Sequence, residues 1–398
     1  MLFKEVIGQQ EVKEHLASMV QQKRLSHALL FLGREGSGAL PLALAFAQYL
    51  VSLPVEGPPV ADLFGGFTPM AAAPWVHPDQ VEEMPAFTRA AQLIHPDLHF
   101  SYPVIARKGG DKPVSTDYIS EWREFIRQSP YGNVYDWLQS LGAENKQGNI
   151  TAEECNDIIR KLSFKSFESE YKVLLLWMPE YLGKEGNKLL KLVEEPPPNT
   201  IFLLVAESDE QILPTLLSRC QLIRVPLLQP AEIEAALIAR SNIQPVLAAQ
   251  LAAICEGNYR EALQLSQHAE EDWQGLLRQW LNATLKGGPV AQAKFTEEIA
   301  LLGREKQKQF LRYFNHLLGQ SVRLKVLGTD QLVLADNEKD FALRLNRIAS
   351  VSQQYAIIEE LDKAAYHIER NANGKMLFQA LTIRLSHIIQ SSMLPSTV

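Results

Sequence analysis

The chain has 398 residues, 46% of them hydrophobic and 21% charged, with a formal net charge of −7. That length predicts two or three domains, and the acidic balance argues against a broad grip on nucleic acid, which needs Lys and Arg to neutralise phosphates; any nucleic-acid role is expected to run through partners. Cys155, Cys220 and Cys255 lie too far apart for a CxxC pair and are too few for a four-thiolate site or a disulfide scaffold. Met1–Gly8 carries no basic segment followed by an apolar core, and no run of about 18 apolar residues follows anywhere. A cytoplasmic protein with no membrane contact is expected.

Residues 9–23 predict an amphipathic helix, with Val12, Leu16 and Val20 at helical spacing. His27–Leu32 reads as a short buried strand and Leu40–Leu50 as a helix. Residues 51–90 hold seven prolines and little periodicity, which predicts an irregular surface excursion. Order resumes near His95, followed by a polar loop at 106–118 and a helical segment over Ile119–Gln128. Thr151 and Glu154 form a capping-box pattern opening a helix through Leu162. Lys172–Trp177, Thr200–Ala206 and Gln221–Val225 read as buried strands, with a helix over 183–194. Apolar strands separated by helices predict a covered parallel sheet. Beyond Pro226 the pattern is helical to about residue 391, with breaks near Gly287, Gly328 and Asn371–Gly374.

Between the first strand and its helix stand Gly33-Arg-Glu-Gly36-Ser-Gly38-Ala39-Leu40, in the G-x-x-x-x-G-K-[ST] frame of a phosphate-binding loop. Ala39 stands where a Lys reaches the β- and γ-phosphates, and Leu40 where a hydroxyl holds Mg²⁺. The second nucleotide element is an apolar strand ending in Asp-Glu; here Lys172–Trp177 runs into Trp177-Met178-Pro179, and Glu180 lies past the expected position. The frame persists without the groups that clamp or activate MgATP, so no cofactor and no hydrolysis by the isolated chain are expected.

Four further segments carry a resemblance. Asn187-Lys-Leu-Leu-Lys-Leu-Val-Glu-Glu-Pro-Pro197, the strand beginning Thr200-Ile-Phe-Leu-Leu, Leu217-Ser218-Arg219-Cys220 and His95-Pro-Asp-Leu98 are similar to ordered motifs of the AAA+ clamp-loader subunits, in particular those of the delta-prime type in bacterial DNA polymerase III. The resemblance covers most of residues 1–226. It implies a RecA-like α/β AAA+ domain over 1–226, a small helical lid over 227–270 and an all-α collar for oligomerisation over 271–398. It further implies a pentameric ring with ATPase subunits and delta, which opens a sliding clamp and places it on primer-template DNA in replication. In that ring Arg219, within the Ser218-Arg219-Cys220 motif, would act as an arginine finger at a neighbour's ATP, and this chain would be a non-hydrolysing stator, catalytic only as part of the holoenzyme. Rival readings are an ATPase active in its own right, opposed by Ala39, Trp177 and Met178, and a scaffold outside replication, for which the Ser-Arg-Cys motif has no use.

Arg260 resembles the sensor-2 position that touches phosphate within one subunit; with the site lost, an ion pair between lid and sheet is expected of it. The family's zinc module would fall in 51–90, which has no Cys, and His77, His95, His99, Asp79 and Asp97 lack zinc-ligand spacing, so no metal is expected. Arg304, Lys306, Lys308 and Arg312, with Arg323 and Lys325 beyond, are expected to form a solvated face. Leu311, Phe314, Leu318 and Val322 are expected to form an inter-subunit packing stripe, and Tyr366–Leu385 the final collar helices.

Overall fold

The computed structural model describes residues 1–54, 60–61, 67–68, 75–107, 112–143, 146–267, 273–327, 336–369 and 372–390. It divides into two compact units, Met1–Ser266 and Gln267–Val398. Among the described residues, no helix is long and apolar enough to cross a membrane.

The first unit is built on strands β1 (Ala28–Leu32), β2 (Leu98–Ser101), β3 (Lys172–Trp177), β4 (Thr200–Ala206) and β5 (Gln221–Arg224). They lie in the order β2-β3-β4-β1-β5, every neighbouring pair parallel. The central strands are apolar after Lys172 and Thr200 because both sheet faces are covered, and alternation of side chains sends successive residues to opposite faces. Strand β5, expected to be buried, instead lies at the sheet edge and exposes Gln221, Leu222 and Arg224. Leu29, Phe31, Val173, Leu175, Trp177, Leu203 and Val205 enter one core, while Ala28, Leu30, Leu174, Leu176, Phe202 and Leu204 enter another. Helix α1 (Gln10–Gln21), the wholly buried α2 (Ala39–Ser52), α3 (Ile119–Gln128) and α4 (Val134–Ser140) serve the first core; α5 (Ala152–Ser163) serves the second.

Two local expectations are corrected. Thr151 Oγ1 accepts from Glu154 N at 3.1 Å, but the Glu154 carboxylate does not return to Thr151. It is buried and accepts from Ser115 N and Ser115 Oγ, both at 2.6 Å, tying the 113–118 segment to α5. The helix expected over 183–194 is instead a 3₁₀ stretch from Pro179 to Leu189, kinked at Gly183 (φ +51°), with regular α-helix only over Leu190–Glu194. Glycines at 183 and 186 lower helix propensity, and Gly183 adopts a left-handed conformation that ends the first turn.

Helices α6 (Pro230–Ser241), α7 (Pro245–Ile254) and α8 (Tyr259–Gln267) close the first unit around their own apolar core, which Ile7 and Tyr131 join. Residues 268–272, at the end of the expected lid, lie outside the described residues.

The second unit contains α9 (Trp273–Leu285), α10 (Gly288–Ala300), α11 (Arg304–Leu327), α12 (Asp336–Ile348), α13 (Val351–Glu369) and α14 (Gly374–Gln390). Trp280 centres its core, stacked on Phe295 at 5.6 Å and donating its Nε1–H to Thr382 Oγ1 at 2.9 Å. Helix α11 runs through the interior, which corrects two expectations. Leu311, Phe314, Leu318 and Val322 are buried within the chain's own core and cannot form an inter-subunit stripe. The basic stretch is a solvated face only in part: Arg323 and Lys325 are exposed and Arg304, Lys306 and Arg312 half-buried, but Lys308 is 5% exposed between the buried Gln307 and Gln309. An apolar period reports that a helix side is covered, not by which chain. The expected break at Gly328 lies outside the described residues, as does Asn371.

Each unit holds a neutral imidazole. Burial, reinforced by Lys161 and Lys172, pushes His99 down to about 4, and burial with Arg323 does the same for His316. The unfolded chain takes up these protons near pH 6.5 and the folded chain only near 4, so stability is full above 6.5 and falls as pH drops through that window. A loss of about 1–2 kcal/mol per His by pH 5 is expected. Urea unfolding at pH 7 and pH 5 checks it; His99→Gln and His316→Gln should each shrink the difference, and a difference that survives both substitutions has another cause.

Candidate functional site

The glycine loop leaves β1 at Gly33, whose N–H donates to Ala206 O at 3.1 Å, and enters α2 at Ala39. Gly36 (φ +71°) and Gly38 (φ +94°) occupy the left-handed region open to glycine. They also admit neighbours that a side chain would exclude. A Cβ on Gly36 would lie 1.9 Å from Asn258 Oδ1, and one on Gly38 would lie 3.2 Å from the Tyr131 ring. Tyr131 is fixed over the loop by its hydroxyl, which accepts from Ile7 N at 2.8 Å, and by edge contact with Tyr259 at 4.9 Å. Gln9 Nε2 holds Ser37 O at 2.9 Å, and Gly36 O accepts from Tyr259 N at 3.2 Å.

The residues at the expected catalytic positions have joined the core. Ala39 and Leu40 are 7% and 5% exposed and belong to the apolar cluster beneath the sheet. Trp177 packs at 5.2 Å from Trp122 and 5.9 Å from Phe125, so α3 supplies an aromatic partner at the position where the nucleotide motif carries a metal-binding carboxylate. Met178 takes φ +59°, its N–H donating to Val205 O at 2.8 Å. Glu180 is committed to the backbone: its Oε1 accepts from Glu207 N at 2.7 Å and Ser208 N at 3.1 Å, and burial raises its pKa.

Gly33, Gly36, Gly38, Ala39, Leu40, Trp177 and Met178 thus converge on one cavity, with Pro130–Gly132 across from them, and its volume is about 30 Å³. That is room for roughly one or two waters, whereas small-molecule pockets run to roughly 300–1,000 Å³. The residues present do not fit MgATP: no cation faces the phosphate position from Ala39, and no carboxylate from Trp177 or Met178 can hold a metal.

What the loop does offer is a carboxylate. Glu35 Oε1 accepts from Arg260 Nη1 at 2.9 Å and from Asn258 Nδ2 at 3.0 Å, while its Oε2 accepts from Asn133 Nδ2 at 2.9 Å. Arg260, only 3% exposed, also forms a two-pronged pair with Asp136 through Nε at 2.5 Å and Nη2 at 2.7 Å. Its charge is therefore met by α4 and by the loop itself. Glu35, Asn133, Asp136, Asn258 and Tyr131 were not singled out from sequence. The available signal was Glu35, a fixed negative charge inside a loop whose ligand is an anion.

Arg219 and Ser218 do not line this cavity. They follow the short helix Pro214–Leu217, ahead of β5. Arg219 Nη1 donates to Thr215 O at 2.8 Å and Nη2 meets Glu194 Oε2 at 3.2 Å; the side chain is 30% exposed and its partner 57%. An exposed pair of this kind contributes little, typically 0–1 kcal/mol.

The possible metal ligands are scattered. His95 is buried with Nε2 3.1 Å from Glu168 Oε1, whereas His77 is exposed beside Asp79. The Asp97 carboxylate accepts from the amides of Phe167, Glu168 and Ser169 at 2.6–2.9 Å. Among the described residues, no group of three His, Cys, Asp or Glu side chains could hold a metal; residues 55–59, 62–66 and 69–74 of the expected irregular excursion lie outside them.

Residues 77–229 match the family described as "DNA polymerase III, delta subunit". DNA polymerase III subunit delta' of Bacillus subtilis is 27% identical over 263 residues, 66% of this chain and 60% of that protein. DNA polymerase III subunit gamma of Buchnera aphidicola is 24% identical over 236 residues, 58% of this chain and 56% of that protein. The chain therefore spans less than two thirds of either relative. A solved structure of a gamma subunit-related protein from Thermotoga maritima aligns over 94% of this chain and 99% of its own, at 14% identity and a TM-score of 0.36. The parallel sheet with helices on both faces is of the AAA+ type, and the family match over residues 77–229 and the relatives alike point to subunits of DNA polymerase III as what this chain resembles.

Proposed function

We propose that this chain is a delta-prime-like subunit of a DNA polymerase III clamp loader that neither binds nor hydrolyses ATP itself. The observation that carries this is the narrow site: a cavity of about 30 Å³ lined by Ala39, Leu40 and Trp177. In this reading the subunit assembles with ATPase subunits and delta in a pentameric ring that opens the sliding clamp and sets it on primed DNA. The helical unit α6–α8 would be its lid and residues 271–398 its collar. Arg219 would reach a neighbour's ATP; its partial exposure and weak tether to Glu194 support that role, since a guanidinium must leave its own chain's carboxylate to meet phosphate.

Gamma-type relatives keep the rival reading, an ATPase in its own right, in view; the apolar side chains at 39, 40, 177 and 178 oppose it. Calorimetric titration of the chain with MgATP decides between them. No saturable binding up to millimolar nucleotide is the expected result. Micromolar binding, with turnover abolished by altering Gly36 or Gly38, would establish the rival. Co-purification should return other clamp-loader subunits, and their absence would point to a role outside the ring.

A further inference from the structure

We infer that Glu35 and Asp136 act as an internal substitute for nucleotide phosphate, locking α6–α8 to the sheet through Arg260 whatever the nucleotide state around it. The inference rests on the proposal that this site takes no nucleotide, and it names what fills the role instead.

Arg260 is permanently cationic and 3% exposed, so it must be paired to be tolerated. Its three nitrogens are matched by two carboxylates from different places: Glu35 from the glycine loop and Asp136 from the first turn of α4. Planar, multidentate pairing of a guanidinium with oxygen acceptors is the geometry it uses with phosphate. Asn258 and Asn133 donate to the remaining Glu35 lone pairs, so the carboxylate is bound on both oxygens. Gly36 lets Asn258 seat directly on the loop, where any side chain would collide with it.

The consequence is conformational. A lid that reports on nucleotide swings because its arginine finds or loses a phosphate. Here the anion is part of the chain and cannot dissociate, so the α8 arginine is always engaged. Tyr131 and Tyr259 add an apolar contact beside the ionic one. The three elements joined are far apart in sequence, 225 residues from Glu35 to Arg260 and 124 from Asp136 to Arg260, so the cluster fixes tertiary placement rather than local helix structure.

The test is a cycle of substitutions in the full chain. In Glu35→Gln with Asp136→Asn, the buried guanidinium loses both counter-charges while side-chain volume is kept. Amide exchange in residues 245–267 should then rise by roughly tenfold or more over the unmodified chain, with β1, β3 and β4 little changed. Adding Arg260→Met removes the orphaned charge and should recover most of that protection, because a fully neutral cluster costs less than a broken one. Inorganic phosphate should raise the melting temperature of the doubly neutralised variant and restore its exchange protection. It should do neither for the triple variant or the unmodified chain, because only the first presents an arginine lacking its anion. Unchanged exchange in the doubly neutralised variant, or a phosphate effect equal in all three proteins, would overturn the inference. If the nucleotide-free reading itself is wrong, the unmodified chain will bind MgATP in calorimetry, which is a separate measurement from exchange in the variants.

Discussion

Trp122→Ala is expected to destabilise the first unit by about 3–5 kcal/mol, the range for removing a large aromatic from a packed core. Trp122 is fully buried and touches aromatic rings on several sides: Tyr102 stacked at 4.1 Å, Trp137 edge-on at 5.4 Å, and Trp177 at 5.2 Å. The cluster joins α3, α4, the end of β3 and the residue after β2, so no single element can collapse into the void. Trp122→Phe should cost much less, since the Trp122 Nε1–H has no hydrogen-bond partner to lose and most of the ring contact is retained. Chemical denaturation followed by circular dichroism measures both. A loss below about 1 kcal/mol for the alanine variant would mean that the cluster repacks freely and does not brace the sheet end. The substitution also bears on function, because Trp177 lines the glycine-loop cavity. Loosening it should not create nucleotide binding, as positions 39, 40, 177 and 178 still lack the lysine, hydroxyl and carboxylates of the motif.

Much of this architecture is readable from residue order. The strands declare themselves because a parallel sheet covered on both faces requires unbroken apolar runs such as Val173–Trp177, and their alternation into two cores follows from the pleat. The absence of Lys, hydroxyl and acidic groups around Ala39, Leu40, Trp177 and Met178 is equally visible, because those positions are defined by the loop frame and the strand end. What takes their place is not visible. Arg260 meets Glu35 and Asp136 across more than a hundred residues, and nothing in local spacing selects those carboxylates among the chain's other acidic residues. The same limit explains α11: its apolar stripe is real, but helical periodicity cannot distinguish a fold's own interior from a subunit interface. Glu154 shows the limit at short range. Its spacing from Thr151 satisfies the capping pattern, yet the buried Ser115 amide and hydroxyl compete for its carboxylate and win.

The proposed function predicts that in a reconstituted ring Arg219→Ala leaves assembly intact and removes most of the activity of one neighbouring ATPase site. The residue stands on the turn after Pro214–Leu217 with its side chain partly exposed, and its hydrogen-bond partners are the exposed Glu194 carboxylate, the Thr215 carbonyl and the Ser218 hydroxyl. Losing them costs the fold little. A finger in trans, by contrast, stabilises charge developing on the transferred phosphoryl group and is worth roughly 10³–10⁵ in rate at its own site. On the same proposal the remaining sites draw their arginines from other subunits, so the ring's total clamp- and DNA-stimulated ATPase should fall only in part. Arg219→Lys should do nearly as badly, since an ammonium lacks the planar fork that spans two phosphate oxygens. Glu194→Gln is the contrasting variant: it frees the guanidinium from its only carboxylate partner among the described residues and should leave ATPase unchanged or raised. ATPase rates measured beside gel filtration of each ring separate chemistry from assembly. An intact ring with undiminished ATPase in Arg219→Ala would show that this arginine serves only to hold Glu194 and the Thr215 carbonyl, and that the neighbour's phosphates are met by another group.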